Sequence, residues 1–182
     1  MIKSIGAIEF KSIAKGIEVS NDMVKKFYVE VLYLKSICPG KFLIIIAGET
    51  SYVNESINYG LTKGKGYIVD SFIINSISED IINGIKHKYK TLENIRSIGI
   101  LETNKVCSGI KALDKTLKYS DVNLVKLQLS FAIGGKLVYI VEGDASSLEH
   151  GIEEGKSILN SKDIISDSII QSVDNQIIKN LI

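Results

Sequence analysis

The chain repeats itself. Ile2-Lys3-Ser4-Ile5-Gly6-Ala7-Ile8-Glu9 returns as Ile95-Arg96-Ser97-Ile98-Gly99-Ile100-Leu101-Glu102. With the same shift Gly16-Ile17 falls on Gly109-Ile110, Lys25 on Lys118, Val29 on Val122 and Leu34 on Leu127. The register then moves by two, setting Gly40-Lys41 on Gly135-Lys136, Gly48 on Gly143 and Gly60 on Gly155. A further move of two sets Asp70-Ser71 on Asp167-Ser168. Matched glycines weigh most, because each marks a backbone requirement that recurs. A unit of about 90 residues is large enough to carry a small core, so the chain must bury the same pattern twice. The expected domains are residues 1–92 and 93–182, with the polar stretch Lys86 to Asn94 as linker.

Within each unit the hydrophobic period alternates between that of a strand and that of a helix. Ile2 to Phe10 reads as a strand, and Ser12 as the cap of a helix reaching about Phe27. Gly16 inside that helix costs about 1 kcal/mol of propensity against Ala. Its return as Gly109 points to close packing against a neighbour. Val29 to Ile37 and Lys41 to Gly48 form a hairpin. A helix follows from Glu49-Thr50-Ser51 to about Thr62, then a strand from Tyr67 to Ile74 and a short helix from Ser78 to about Lys86. The second unit repeats this order, with strands at Ser97–Glu102, Asn123–Ser130, Lys136–Gly143 and Asp163–Ile170 and helices from about Lys105, Ser146 and Asp174. The expected class is α+β: two tandem ferredoxin-like units, each a four-stranded antiparallel sheet with two helices packed on it.

Composition excludes several functions. Twenty-two basic against 21 acidic residues give a net charge of +1, whereas a nucleic-acid partner wants a basic face. No apolar run approaches the ~20 residues that span a bilayer, so no membrane partner is expected. The N-terminus enters a strand pattern directly and has no signal-peptide architecture. Two cysteines make no disulfide scaffold, which leaves a reducing cytoplasm as the default. His87 and His150 have no partner at a metal or triad spacing and are expected in solvent. Gly134-Gly135-Lys136 is a hairpin turn, because the upstream glycine and following Ser/Thr of a phosphate loop are missing. Glu9 and Glu102 are matched carboxylates with no second carboxylate to pair for acid–base work. No active site emerges, and a small soluble enzyme on a duplicated scaffold is the weakest reading.

The two hairpin turns are where the units differ. The first, Ser36-Ile37-Cys38-Pro39-Gly40-Lys41, holds the only proline and one of the two cysteines. Pro39 sets φ and Gly40 takes a positive φ, which presents Cys38 at the tip or shoulder of the hairpin. Two readings stand for Cys38, a small half-buried apolar residue or a functional thiol. The second turn, Ser130-Phe131-Ala132-Ile133-Gly134-Gly135-Lys136, is two residues longer and has no cysteine. Cys107 falls on Ala14 and is expected in the core.

At these residues the sequence resembles bacterial microcompartment shell domains (BMC domains). The tandem arrangement, with Ile37-Cys38-Pro39-Gly40-Lys41 in the first turn and Phe131-Ala132-Ile133-Gly134-Gly135-Lys136 in the second, is similar to the PduT-type tandem members. Ser12-Ile13-Ala14-Lys15-Gly16, Val69-Asp70-Ser71 and Gly143-Asp144 add to it, and the likeness covers essentially the whole chain. The resemblance implies a structural, non-enzymatic shell protein of a microcompartment in the bacterial cytoplasm. It implies a homotrimer with pseudosixfold symmetry that tiles with other shell proteins around encapsulated enzymes. By resemblance the turns line a central pore, through Ser36, Ile37, Pro39, Gly40, Phe131, Ala132, Ile133 and Gly134. Cys38 from three chains would then ligate one [4Fe-4S] cluster per trimer, for electron transfer or cluster delivery across the shell. One thiol per chain holds no cluster alone, and a cluster on three thiolates keeps a fourth iron position for another ligand. A passive small-molecule pore with Cys38 as a plain thiol is the alternative. Lys25 and Lys118 look like the family's shell-edge lysine, although a solvated helix lysine looks the same in sequence. The family's Pro-Arg-Pro-His stretch is absent: Asn75-Ser76-Ile77-Ser78 and Gln171-Ser172-Val173-Asp174 stand there.

Overall fold

A computed structural model describes residues 4–90, 92, 94–129 and 134–181. The first repeat runs β1 (Ser4–Phe10), α1 (Ile13–Lys26), β2 (Glu30–Ile37), β3 (Lys41–Gly48), α2 (Thr50–Lys63), β4 (Ile68–Asn75) and α3 (Glu79–Ile85). The second runs β5 (Ile98–Thr103), α4 (Val106–Tyr119), β6 (Val122–Leu129), β7 (Leu137–Gly143), α5 (Ala145–Ser157), β8 (Ile164–Ile170) and α6 (Asn175–Leu181). Each repeat makes one four-stranded sheet, in the orders β2-β3-β1-β4 and β6-β7-β5-β8, and every pairing is antiparallel. Both sheets and their helices match the expected α+β architecture.

Local chemistry explains the elements. Ser12 caps α1, its hydroxyl accepting from the Lys15 amide, and Lys25 and Lys26 in the last turn suit the negative end of the helix dipole. Gly16, Val19, Ser20 and Met23 form the buried stripe at helical spacing. That stripe and Val53 and Ile57 of α2 pack on Ile8, Phe10, Phe42, Ile44 and Ile46, forming the core of the first unit. Each such fully buried side chain contributes about 1.5–3 kcal/mol. Gly16 is where α1 rests on the sheet: a Cβ there would lie 2.6 Å from Cδ1 of Phe42 on β3. Gly109 does the same on Leu137 of β7, so the repeated glycine is a repeated close approach.

The second unit fills equivalent space with a polar pair. The Thr116 hydroxyl donates to the Gly151 carbonyl, so the buried Tyr139 hydroxyl donates to Thr116 at 2.7 Å. Burial holds the Tyr139 phenol well above its ordinary pKa. The first unit has Ile44 and Met23 in these places, an apolar solution to the same volume. On the opposite face of the second sheet, Ile95, Ile98, Val125, Ile140 and Val173 cluster, and Ile178 and Leu181 of α6 pack against them.

Packing divides the chain differently from the repeat. Residues up to Ile77, with Gly134 and Gly135, form one compact unit; Ser78–Leu129 with Lys136–Ile182 form the other. The helix α3 therefore belongs by sequence to the first repeat and by packing to the second unit. There it lies against β6, where a Cβ on Gly84 would come within 3.0 Å of Cδ2 of Leu124. The expected linker is also tied down: the Leu127 amide donates to the Tyr89 hydroxyl, which lies 3.0 Å from the Leu127 carbonyl.

The ladders correct one detail of the repeat. Ile8 pairs with Ser71 and Leu101 with Asp167, so Ser71 stands where Asp167 does, and the expected match of Asp70-Ser71 to Asp167-Ser168 is one residue off. Ser76 and Ser172, both with φ near +55°, mark the true correspondence at the strand ends.

Candidate functional site

The first turn is built as its residues require. Ile37 pairs with Lys41 and Ser36 with Phe42, which leaves Cys38-Pro39-Gly40 as the connection. Gly40 takes φ +71°, and the Cys38–Pro39 peptide is cis. Cys38 is exposed with a free thiol, as are Ser36, Pro39 and Gly40 on either side of it, while Ile37 is 4% exposed and belongs to the packed base of the hairpin. Cys107 is fully buried on α4, the expected core position. Of the second turn, Phe131, Ala132 and Ile133 lie outside the described residues. Gly134 is exposed with φ +70°. Gly135, at φ +78°, lies so close to the Cys38 carbonyl that any Cβ would collide with it. The glycine pair thus lets the end of the second turn lie against the cysteine turn.

The base of each hairpin holds an ion pair that sequence reading left half-seen. Lys41 Nζ lies 2.9 Å from Glu9 Oε1, and Lys136 Nζ lies 2.9 Å from Glu102 Oε1. The matched carboxylates have their partner in the lysine that follows each turn glycine. The signal was present, since Gly-Lys recurs with Glu in both repeats, but only the ladder brings positions 9 and 41 side by side. The pairs differ in depth: the Glu9 side chain is 0% exposed, and that of Glu102 is 29% exposed.

The two expected edge lysines have different settings. Lys25 is exposed in the last turn of α1. Lys118 is exposed at the matching place on α4 and bonds Asp114 Oδ2 at 2.6 Å, while the other oxygen of Asp114 faces the Ser78 amide at 3.5 Å. His87 and His150 are exposed. Among the described residues no group of three His, Cys, Asp or Glu side chains is arranged to hold a metal ion. Among the described residues no helix is long and apolar enough to cross a membrane. What one chain offers is a single exposed thiol on a tight turn, with Gly135 against the turn and an ion pair at the base of each hairpin.

Known proteins resemble this chain along nearly its whole length. The model of the BMC domain matches twice, at residues 4–77 and 97–173. A curated relative, the bacterial microcompartment shell protein PduT of Citrobacter freundii, is 33% identical over 165 residues, which cover 91% of this chain and 89% of that protein. The crystal structure of a microcompartments protein from Desulfitobacterium hafniense DCB superposes with a TM-score of 0.87 at 30% identity, covering 98% of this chain and 99% of that one. The fused permuted hexameric shell protein MSM0275 of the RMM microcompartment superposes with a TM-score of 0.63 at 17% identity over 84% of this chain and 81% of its own, a likeness of fold.

Proposed function

The chain belongs to the BMC-domain family of bacterial microcompartment shell proteins, and from that premise we propose that three copies close into a pseudohexameric ring whose central turns carry a redox centre. Its role in the shell is structural and not catalytic. In the ring, Cys38 of each chain meets its two counterparts at the threefold axis. Ser36, Pro39 and Gly40 line the opening beside it, with Gly134 of the second turn. The observation that carries this reading is the exposed Cys38 thiol at the tip of a hairpin whose base is locked by the Glu9–Lys41 pair. A cysteine kept for packing sits as Cys107 does, inside a helix-on-sheet core.

A single Cys38 holds no cluster, but three thiolates are a donor set that suits one [4Fe-4S] cluster with an iron position left for another ligand. Bound there, such a cluster supplies a one-electron couple, or a cargo that can be handed on, at a site that joins the two faces of the shell. The protein's part would be to hold the three turns so that their thiols converge. Neighbouring shell proteins are the lateral partners of the ring, and enzymes inside the shell are the destination of electrons or cluster.

The test is an anoxic EPR spectrum before and after dithionite, with iron and sulfide counted per trimer. One cubane per trimer is expected, lost in Cys38→Ser while the trimer persists. A trimer without iron after anoxic reconstitution would leave a passive small-molecule pore lined by a plain thiol.

A further inference from the structure

Corresponding strips on the two edge strands have opposite surroundings. Strands β2 and β6 each bulge at the same place, after Val31 and after Leu124, so Val31 corresponds to Leu124 and Leu34 to Leu127. Leu124 and Leu127 are 5% and 1% exposed beneath α3. Val31 and Leu34 are 37% and 46% exposed. The helix corresponding to α3 is α6, fixed by the Ser76–Ser172 match, and it lacks the burial α3 has: Ile81 is 0% exposed and its counterpart Ile177 is 50% exposed. One chain therefore leaves one strip without its helix and one helix without its strip.

We propose that α6 of one copy covers Val31 and Leu34 of a second copy, repeating between chains the contact that α3 makes with Leu124 and Leu127 within one. This rests on the ring reading above and names the surfaces that close the ring. Two substitutions support the fit. Where Gly84 brings the α3 backbone close to Leu124, α6 carries the larger Asn180, and the facing residue is the smaller Val31. Where the Ser78 amide meets the Asp114 carboxylate, the matching positions are Asp174, which precedes α6 and accepts from the Gln176 amide through Oδ1, and Asn21. The carboxylate has crossed to the other side of the junction, and the side-chain amide of Asn21 replaces the backbone donor. Asn21 is exposed, its amide within 3.5 Å of Asp22 Oδ1, whereas Asp114 is 8% exposed beside Ser78. Because strip and helix are different surfaces, the contact is head-to-tail, the kind that closes into a ring when its rotation returns to the first copy.

The experiment is the solution mass of the full chain by light scattering, as wild type, Leu34→Glu, Ile177→Glu and an equimolar mixture of the two variants. Both side chains lie on the surface of the single chain, so each variant keeps wild-type circular dichroism. Wild type is expected as a trimer, and each variant with its mass reduced threefold. The mixture regains one sound junction, between α6 of the Leu34→Glu chain and the strip of the Ile177→Glu chain, and runs at twice the monomer mass. Variants that keep the wild-type mass while wild type is trimeric overturn this contact and leave the ring reading standing. A monomeric wild type overturns both.

Discussion

Glu9 and Glu102 show how one residue pattern acquires two values. Each carboxylate sits on an inner strand of its sheet and meets, at 2.9 Å, the lysine at the start of the neighbouring strand or just before it. Glu9 is fully buried, so removing its cation leaves a charge in a medium that solvates it poorly. Glu102 keeps access to water, and a half-exposed pair is worth about 0–1 kcal/mol. Lys41→Met is therefore expected to cost about 3 kcal/mol. Lys136→Met is expected to cost less than about 1 kcal/mol. Urea midpoints of the two variants, at unchanged slope, measure the difference. Equal losses would show that the other contacts of Glu9 hold its charge as well as Lys41 does. The sequence displayed both carboxylates and both lysines, but their pairing and depth depend on strand register.

At the scale of the element, helix propensity and packing pull in opposite directions at Gly16. In an isolated helix Gly→Ala gains about 1 kcal/mol. Here the new Cβ would meet Cδ1 of Phe42 at 2.6 Å and its Cβ and Cγ at 2.8 Å, in a core whose neighbours are fully buried. Overpacking of this kind costs about 1–3 kcal/mol, so the net effect of Gly16→Ala is destabilising. Thermal melts of the variant should fall below wild type, and a rise would mean that α1 floats free of β3. The repeat exposed this glycine before the fold was known, because a helix-weakening residue that returns in register needs a packing reason. The repeat misplaced β4 against β8 for a related cause. Asp-Ser occurs in both strands one step out of phase, and only the pairing of β1 and β5 with their neighbours separates coincidence from correspondence.

For the whole molecule, one chain leaves an apolar strip and an apolar helix face uncovered. These are the strip at Val31 and Leu34 and the half-exposed Ile177, the surfaces that the proposed ring contact joins. Tiling of rings is a separate contact, and there Lys25 is the residue to test. It is exposed at the end of α1, where Lys118 on α4 is held by Asp114. Lys25→Asp is expected to leave ring mass and melting temperature unchanged and to weaken two-dimensional arrays in electron micrographs. Arrays of wild-type extent would remove Lys25 from the shell edge.

The sequence by itself determined the duplication, the order of elements in each half, the sheet with two helices, and the cysteine at a hairpin tip. All of these follow from periodicity, turn chemistry and comparison of the chain with itself, which are local or self-referential signals. Tertiary structure alone decided that α3 leaves its own repeat to pack on β6, that Gly135 lies against the Cys38 carbonyl, and that Glu9 is buried with Lys41. These depend on which distant residues share a face, and that is fixed by the packing of whole sheets and helices. No period or motif in a single strand of sequence carries it.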